Sequence, residues 1–167
     1  MAAGVLGMLA LFLALAMPVG AADLKDLTPK AAPELRLSTL EGRAMDLQQL
    51  RGKVVLVNFW ASWCPPCRKE MPSMNRLNQV LKDQAFAILG VNAGENAEIV
   101  RGFLKQTPVN FPILMDEKGT SLKPWQAFVF PTSYVVDKQG RVRMGLLGSV
   151  EWDAPEVVAR LKPLLAE

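Results

Sequence analysis

Val54 to Trp60 is a near-continuous apolar run broken only by Asn58. That pattern predicts a central strand buried on both faces. Ala61-Ser62-Trp63-Cys64-Pro65-Pro66-Cys67 follows at once, and then the stripe Met71, Met74, Leu77 and Leu81 marks a helix, with Pro72 a point of kinking. Prolines at 65 and 66 suit a helix start, where the N–H groups have no partner anyway. Phe86 to Val91 is a second apolar strand, so strand, helix and strand predict a right-handed βαβ unit with a parallel pair.

The flanking segments are more polar. Asp23 to Pro33, with Pro29 and Pro33, reads as a linker. Glu34 to Asp46 alternates around Leu35, Leu37 and Leu40 with a turn at Glu41-Gly42, which predicts a β-hairpin. Leu47 to Leu50 reads as a short helical turn. Ile99, Val100, Phe103 and Leu104 fall on one face of a helix over 95–106. Phe111 to Met115 reads as a short strand and Leu122 to Ala127 as a small helix. Ser133 to Asp137 and Arg141 to Leu147, joined by Lys138-Gln139-Gly140, predict an antiparallel hairpin. Asp153 to Glu156 resembles a capping box opening a last helix that buries Val157, Val158, Leu161 and Leu165.

Half of the 167 residues are apolar and the mean hydropathy is +0.17, values that would suit a membrane protein. The N-terminus accounts for the excess. Residues 1–22 carry no charge, and only Gly4, Gly7, Pro18 and Gly20 there are outside the apolar set. Beyond them the apolar share is about 45%, the ordinary soluble range. Val5 to Met17 has the length of a signal-peptide core, and Val19-Gly20-Ala21-Ala22 supplies the small residues a signal peptidase accepts. Cleavage after Ala21 or Ala22 is expected, with an uncleaved anchor as the alternative. The absence of Lys and Arg before the core fits an upstream start or a weak signal. Either way the charged remainder is exported, and no Cys near the cleavage site invites a lipid.

Charge and residue usage exclude several classes. The net charge of +3 is spread over both signs without a basic block, which argues against nucleic acid. There is no histidine, so a Ser-His-Asp or Cys-His hydrolase is ruled out. Two cysteines allow one disulfide or half a zinc site, and two further zinc ligands are not at hand. No cofactor and no metal are expected.

Cys64 and Cys67, at i and i+3 where a strand becomes a helix, lie on one helical face, close enough for a disulfide. At the helix start the dipole favours a thiolate on Cys64, which can attack another disulfide. Cys67, one turn deeper, would resolve the mixed disulfide. Neither Pro65 nor Pro66 offers an N–H, so the Cys64 thiolate depends on the Cys67 amide and the dipole. Only modest stabilisation of the thiolate and a reducing couple are expected. An inert disulfide staple and a Cu(I) site on the two thiolates are the other readings.

Val54-Val-Leu-Val-Asn58-Phe-Trp60-Ala-Ser-Trp63-Cys64-Pro-Pro-Cys67-Arg-Lys-Glu70-Met-Pro72 closely resembles the exported TlpA/ResA-like thiol–disulfide oxidoreductases of the thioredoxin superfamily. Phe130-Pro131-Thr132 resembles the family's cis-proline loop. The resemblance runs from about Pro33 to the C-terminus and implies a thioredoxin-like domain over 34–167. Its fold would be α/β, a mixed central sheet flanked by helices, with an N-terminal β-hairpin and a helix–strand insertion at about Gly94 to Asp116. It implies a periplasmic role, often in keeping the haem-attachment cysteines of c-type cytochromes reduced.

The same resemblance makes Pro131 cis, so that the backbone of Phe130 faces a partner's extended chain. Phe130 is bulky for that place and would narrow the groove or grip an apolar side chain. Trp63 would flank the site and shield it, whereas Trp60 reads as core. Thioredoxins carry a buried Asp where this strand has Asn58; by resemblance Glu70 takes over part of its role as acceptor of the Cys67 proton. The other reading of Glu70 is an acid near the helix start that satisfies the dipole. Arg68 and Lys69 read as a solvated helix face.

The expected activity is reduction of disulfides in exported proteins. A single cysteine pair then requires a separate electron donor, a membrane conduit, and a monomer is expected. The rivals are a peroxiredoxin-like peroxidase, for which the PxxxTxxC context is lacking, a Cu(I) chaperone and a stapled binding domain.

Overall fold

Residues 24–167 are described by a computed structural model; the leader read at 1–22 lies outside them. The chain passes through β1 (Lys25–Ala31), β2 (Arg36–Thr39), β3 (Ala44–Asp46), β4 (Val54–Trp60), α1 (Pro65–Val80), β5 (Phe86–Ala93) and α2 (Ala97–Gln106). It continues through β6 (Ile113–Asp116), the single-turn helix α3 (Leu122–Trp125), β7 (Thr132–Val136), β8 (Arg141–Leu147) and α4 (Pro155–Ala166). One mixed sheet orders the strands β1-β8-β7-β4-β5-β6-β2-β3.

Strand β4 is buried at all seven positions and anchors this order. It runs parallel to β5, from Val54 beside Phe86 to Trp60 beside Asn92, and antiparallel to β7. Side chains of a strand alternate between faces. Val54, Leu56 and Trp60 therefore join Met71, Met74, Leu77 and Leu161 in the core under α1 and α4. Val55, Val57 and Phe59 join Leu89, Val91 and Trp125 on the opposite face. Each large side chain so buried contributes about 1.5–3 kcal/mol. By the same alternation Asn58 is turned toward α1.

The hairpin β2–β3 and the insertion α2–β6 are one addition in space. Strand β6 pairs in parallel with β5, and β2 then pairs antiparallel with β6. Close approach at this seam requires Gly90, where a Cβ would stand 2.8 Å from Ile113 Cδ1. This is the sheet, hairpin and insertion implied by the resemblance.

Several local expectations are corrected. The segment read as a linker at 23–33 contains β1, which pairs antiparallel with β8. It was obscured because an edge strand exposes most of its residues: Lys25, Asp26, Pro29 and Lys30 face water, and no apolar alternation survives. Asp153 is not a cap. The N-cap of α4 is Ala154, without a side-chain bond, and the Asp153 carboxylate is held by Arg76 at 2.6 and 3.0 Å. Helix α4 buries Val157, Leu161 and Leu164, leaving Val158 and Leu165 partly covered. In α2 Val100 is buried while Ile99 stands exposed. Helix α1 continues through Pro72. No helix among the described residues is long and apolar enough to cross a membrane.

Candidate active site

The chain leaves β4 at Trp60 and enters α1 at Pro65, so four residues, Ala61 to Cys64, join strand to helix. Cys64 is the N-cap of α1 in an extended conformation. An N-cap side chain accepts from the first free amides of the helix. Pro65 and Pro66, at the first two helical positions, have none. The Cys67 N–H donates to Cys64 Sγ at 3.3 Å. Cys64 and Cys67 are joined in a disulfide with their Cα atoms 5.3 Å apart, Cys67 wholly buried and Cys64 nearly so.

Trp63 stands 67% exposed beside this pair. Its indole packs on the Phe130 ring, with centroids 5.8 Å apart. The Phe130–Pro131 peptide bond is cis. One aromatic contact thus links the cysteine turn to the loop that opens β7. Arg68 and Lys69 are exposed, and the Arg68 guanidinium lies 5.7 Å from the centre of the Phe103 ring. Trp60 is core, fully buried against Phe103.

Glu70, one turn beyond Cys67, is 1% exposed and lies past the first turn of α1, which holds no acid. Its Oε1 accepts from Asn58 Nδ2 at 2.8 Å and its Oε2 from Trp152 Nε1 at 3.1 Å. Asn58 Nδ2 also donates to Ser133 Oγ at 2.9 Å, which ties the group to β7. Ser73 Oγ donates to the Glu70 carbonyl and accepts from the Trp152 backbone N–H. Burial pushes the Glu70 carboxyl up to about 7, while hydrogen bonds from Asn58, Trp152 and the Val150 backbone restrain the rise. Its hydrogen bonds run to these groups and not to a sulfur.

A second buried carboxylate holds the turn before Cys64. Glu95 accepts from the Ser62 backbone N–H and from Asn92 Nδ2, both at 2.7 Å, and from the Ser62 hydroxyl. It therefore fastens the end of β4 to the end of β5. A Glu95→Gln variant presents an amide where acceptors are needed and leaves donors unpaired, at about 1–3 kcal/mol. The expected result is a lower urea midpoint at unchanged m-value, with slower disulfide exchange.

Trp152, Ser133 and Glu95 were not among the residues singled out from sequence. Asn58 carried the available signal, since an amide in an apolar strand must meet a polar partner. Nothing in the sequence specified that the partner on the far side would be an indole 82 positions from Glu70. The Glu95 contacts join two loop ends, where no periodicity operates.

Residues 29–144 match the model of the AhpC/TSA family. A thiol–disulfide oxidoreductase ResA of Bacillus thuringiensis subsp. konkukian is 38% identical over 119 residues, covering 71% of this chain and 69% of that protein. A thiol:disulfide interchange protein of the thioredoxin family from Chlorobium tepidum superposes with a TM-score of 0.69 at 28% identity, over 84% of this chain and 99% of the other. StoA from Bacillus subtilis does so at 0.65 and 26%, over 78% and 99%.

Proposed function

The chain belongs to the AhpC/TSA family and is a ResA-like thiol–disulfide oxidoreductase with a thioredoxin fold, and from that premise we propose that it works as an extracytoplasmic reductase of protein disulfides, those of apocytochromes c included. The observation that carries the direction is the capping geometry. Cys64 Sγ has one helical amide to accept from, because Pro65 and Pro66 remove the others. A thiolate so sparsely stabilised favours giving up its electrons to a partner.

In this reading the Cys64 thiolate attacks one sulfur of the substrate disulfide, forming a mixed disulfide and expelling the other sulfur as thiolate. Cys67 then loses its proton to Glu70, directly or through a water, and attacks Cys64 Sγ. The substrate leaves as a dithiol carrying two electrons, and the protein returns to the Cys64–Cys67 disulfide. A carboxyl poised near neutrality suits that proton transfer. Trp63, Phe130 and Pro131 receive the substrate chain, with Pro65 and Pro66 tuning the couple. A membrane protein that carries electrons outward restores the dithiol. The leader-like residues 1–22 support the export reading.

Trapping tests this. A Cys67→Ala variant is expected to accumulate mixed disulfides on Cys64, resolved by non-reducing electrophoresis and identified by mass spectrometry. Extracytoplasmic proteins with paired cysteines should dominate the adducts. Recovery of none, or faster oxidation of a dithiol peptide by the disulfide form than reduction by the dithiol form, would overturn the reading.

A further inference from the structure

Six large apolar side chains stand exposed among the described residues, and four of them gather at one place. Trp63 leans on Phe130, and Phe128 and Val129, 71% and 57% exposed, directly precede it. Leu147, 64% exposed, is the β8 partner of Thr132, the residue after the cis-proline. The next amide, Gly148 N–H, donates to the Pro131 carbonyl at 2.8 Å. An apolar patch of this kind marks a contact surface.

The patch does not end at Leu147. From there a groove of about 560 Å³ follows β8 toward Val142, roughly 17 Å at a strand's rise per residue. Leu27 of β1, Trp125 of α3, Tyr134 and Gly145 are among its lining residues. Lys25 and Lys30 also line it, and among the described residues no acidic one does. Gly145 keeps it open: a Cβ there would stand 3.0 Å from Leu27 and 3.4 Å from the Tyr134 ring. Its volume lies in the range of true binding clefts, about 300–1,000 Å³.

We propose that this groove is an extension of the substrate site, which takes an apolar segment of the disulfide-bearing polypeptide together with an adjoining acidic residue. The inference rests on the reductase reading and narrows its substrates. Continuity through Leu147 favours a chain already engaged at the disulfide. The apolar lining selects side chains such as Leu or Phe, and the two lysines, with no acid beside them among the described lining residues, select Asp or Glu. The groove thus acts on partner choice, while exchange itself remains with the cysteines.

The test is single-turnover reduction of synthetic peptides by the reduced full-length chain. One peptide holds a bare CxxC disulfide. Others add a Leu-Phe-Asp-Glu or a Leu-Phe-Lys-Lys extension, on either side in turn. The acidic extension is expected to lower the half-saturating concentration about 10-fold, which corresponds to about 1.4 kcal/mol. The gain should shrink with salt and vanish in Lys25→Glu/Lys30→Glu and in Gly145→Leu. Both variants should reduce the bare peptide at the wild-type rate. The charge-reversal pair lies on an exposed strand, so it remains informative if Gly145→Leu folds poorly. Equal handling of all peptides, or a gain that survives charge reversal, overturns the inference alone. Failure to reduce the bare peptide overturns the reductase reading beneath it.

Discussion

A Cys64→Ser variant is expected to lose disulfide exchange altogether, by ~10³-fold or more. A serine hydroxyl is not ionised near neutral pH and forms no stable bond to a substrate sulfur. The structure makes this loss a chemical result and not a folding one. Residue 64 is the N-cap of α1, and serine is a better cap than cysteine, so the helix start is retained. The lost cross-link closes a short loop of sequence separation 3, worth about 2 kcal/mol or less by loop entropy. Circular dichroism should be unchanged while insulin reduction after priming with a thiol falls to background. Residual activity above a few per cent would mean that Cys67 can attack unaided, and the burial of Cys67 argues against that.

The second large effect concerns Glu70. Its carboxyl titrates near 7 in the fold, against an ordinary value of 4.5. The folded state therefore binds the proton more tightly than the unfolded chain does. Stability from this group is fully present below about pH 4.5 and is lost as pH rises through about 7, with a span of roughly 3 kcal/mol. Asp116 and Asp137, held below the usual carboxylate range by their hydrogen bonds, act with the opposite sign in acid. Subtracting the stability curve of Glu70→Gln from that of the wild type isolates Glu70. Denaturation of the oxidised form, where no thiol titrates, is expected to show Glu70→Gln gaining relative stability between pH 4.5 and 7. The same variant should slow release of substrate from the mixed disulfide and remove the pH dependence near 7. A flat difference curve would show that the carboxyl is not titrating in that range.

The sequence made the centre of this molecule legible and its periphery less so. Val54 to Trp60 announced a strand covered on both sides, and both cores now meet on it. Cys64, Pro65, Pro66 and Cys67 could be placed at a helix start because that position constrains residue choice so strongly. The place of Glu70 one turn on was equally direct, but its partners were not, since Asn58, Ser133 and Trp152 come from three distant segments. Strand β1 went unread for a different reason: pairing of its backbone with β8, and not burial of its side chains, makes it a strand. Asp153 shows the converse error, a local capping pattern overruled by a long-range ion pair with Arg76.

That same β1 forms one margin of the sheet, and the three-residue β3 forms the other. A free margin invites any extended chain to add itself as a further strand. Charged residues at 25, 26 and 30, Pro29, and an irregular register between Asp26 and Lys30 make β1 a poor template. Under the proposed reading, in which the partner is a polypeptide held through its disulfide, such discouragement has particular value. The protein would then hold such a chain by a transient sulfur bond without pairing with its backbone.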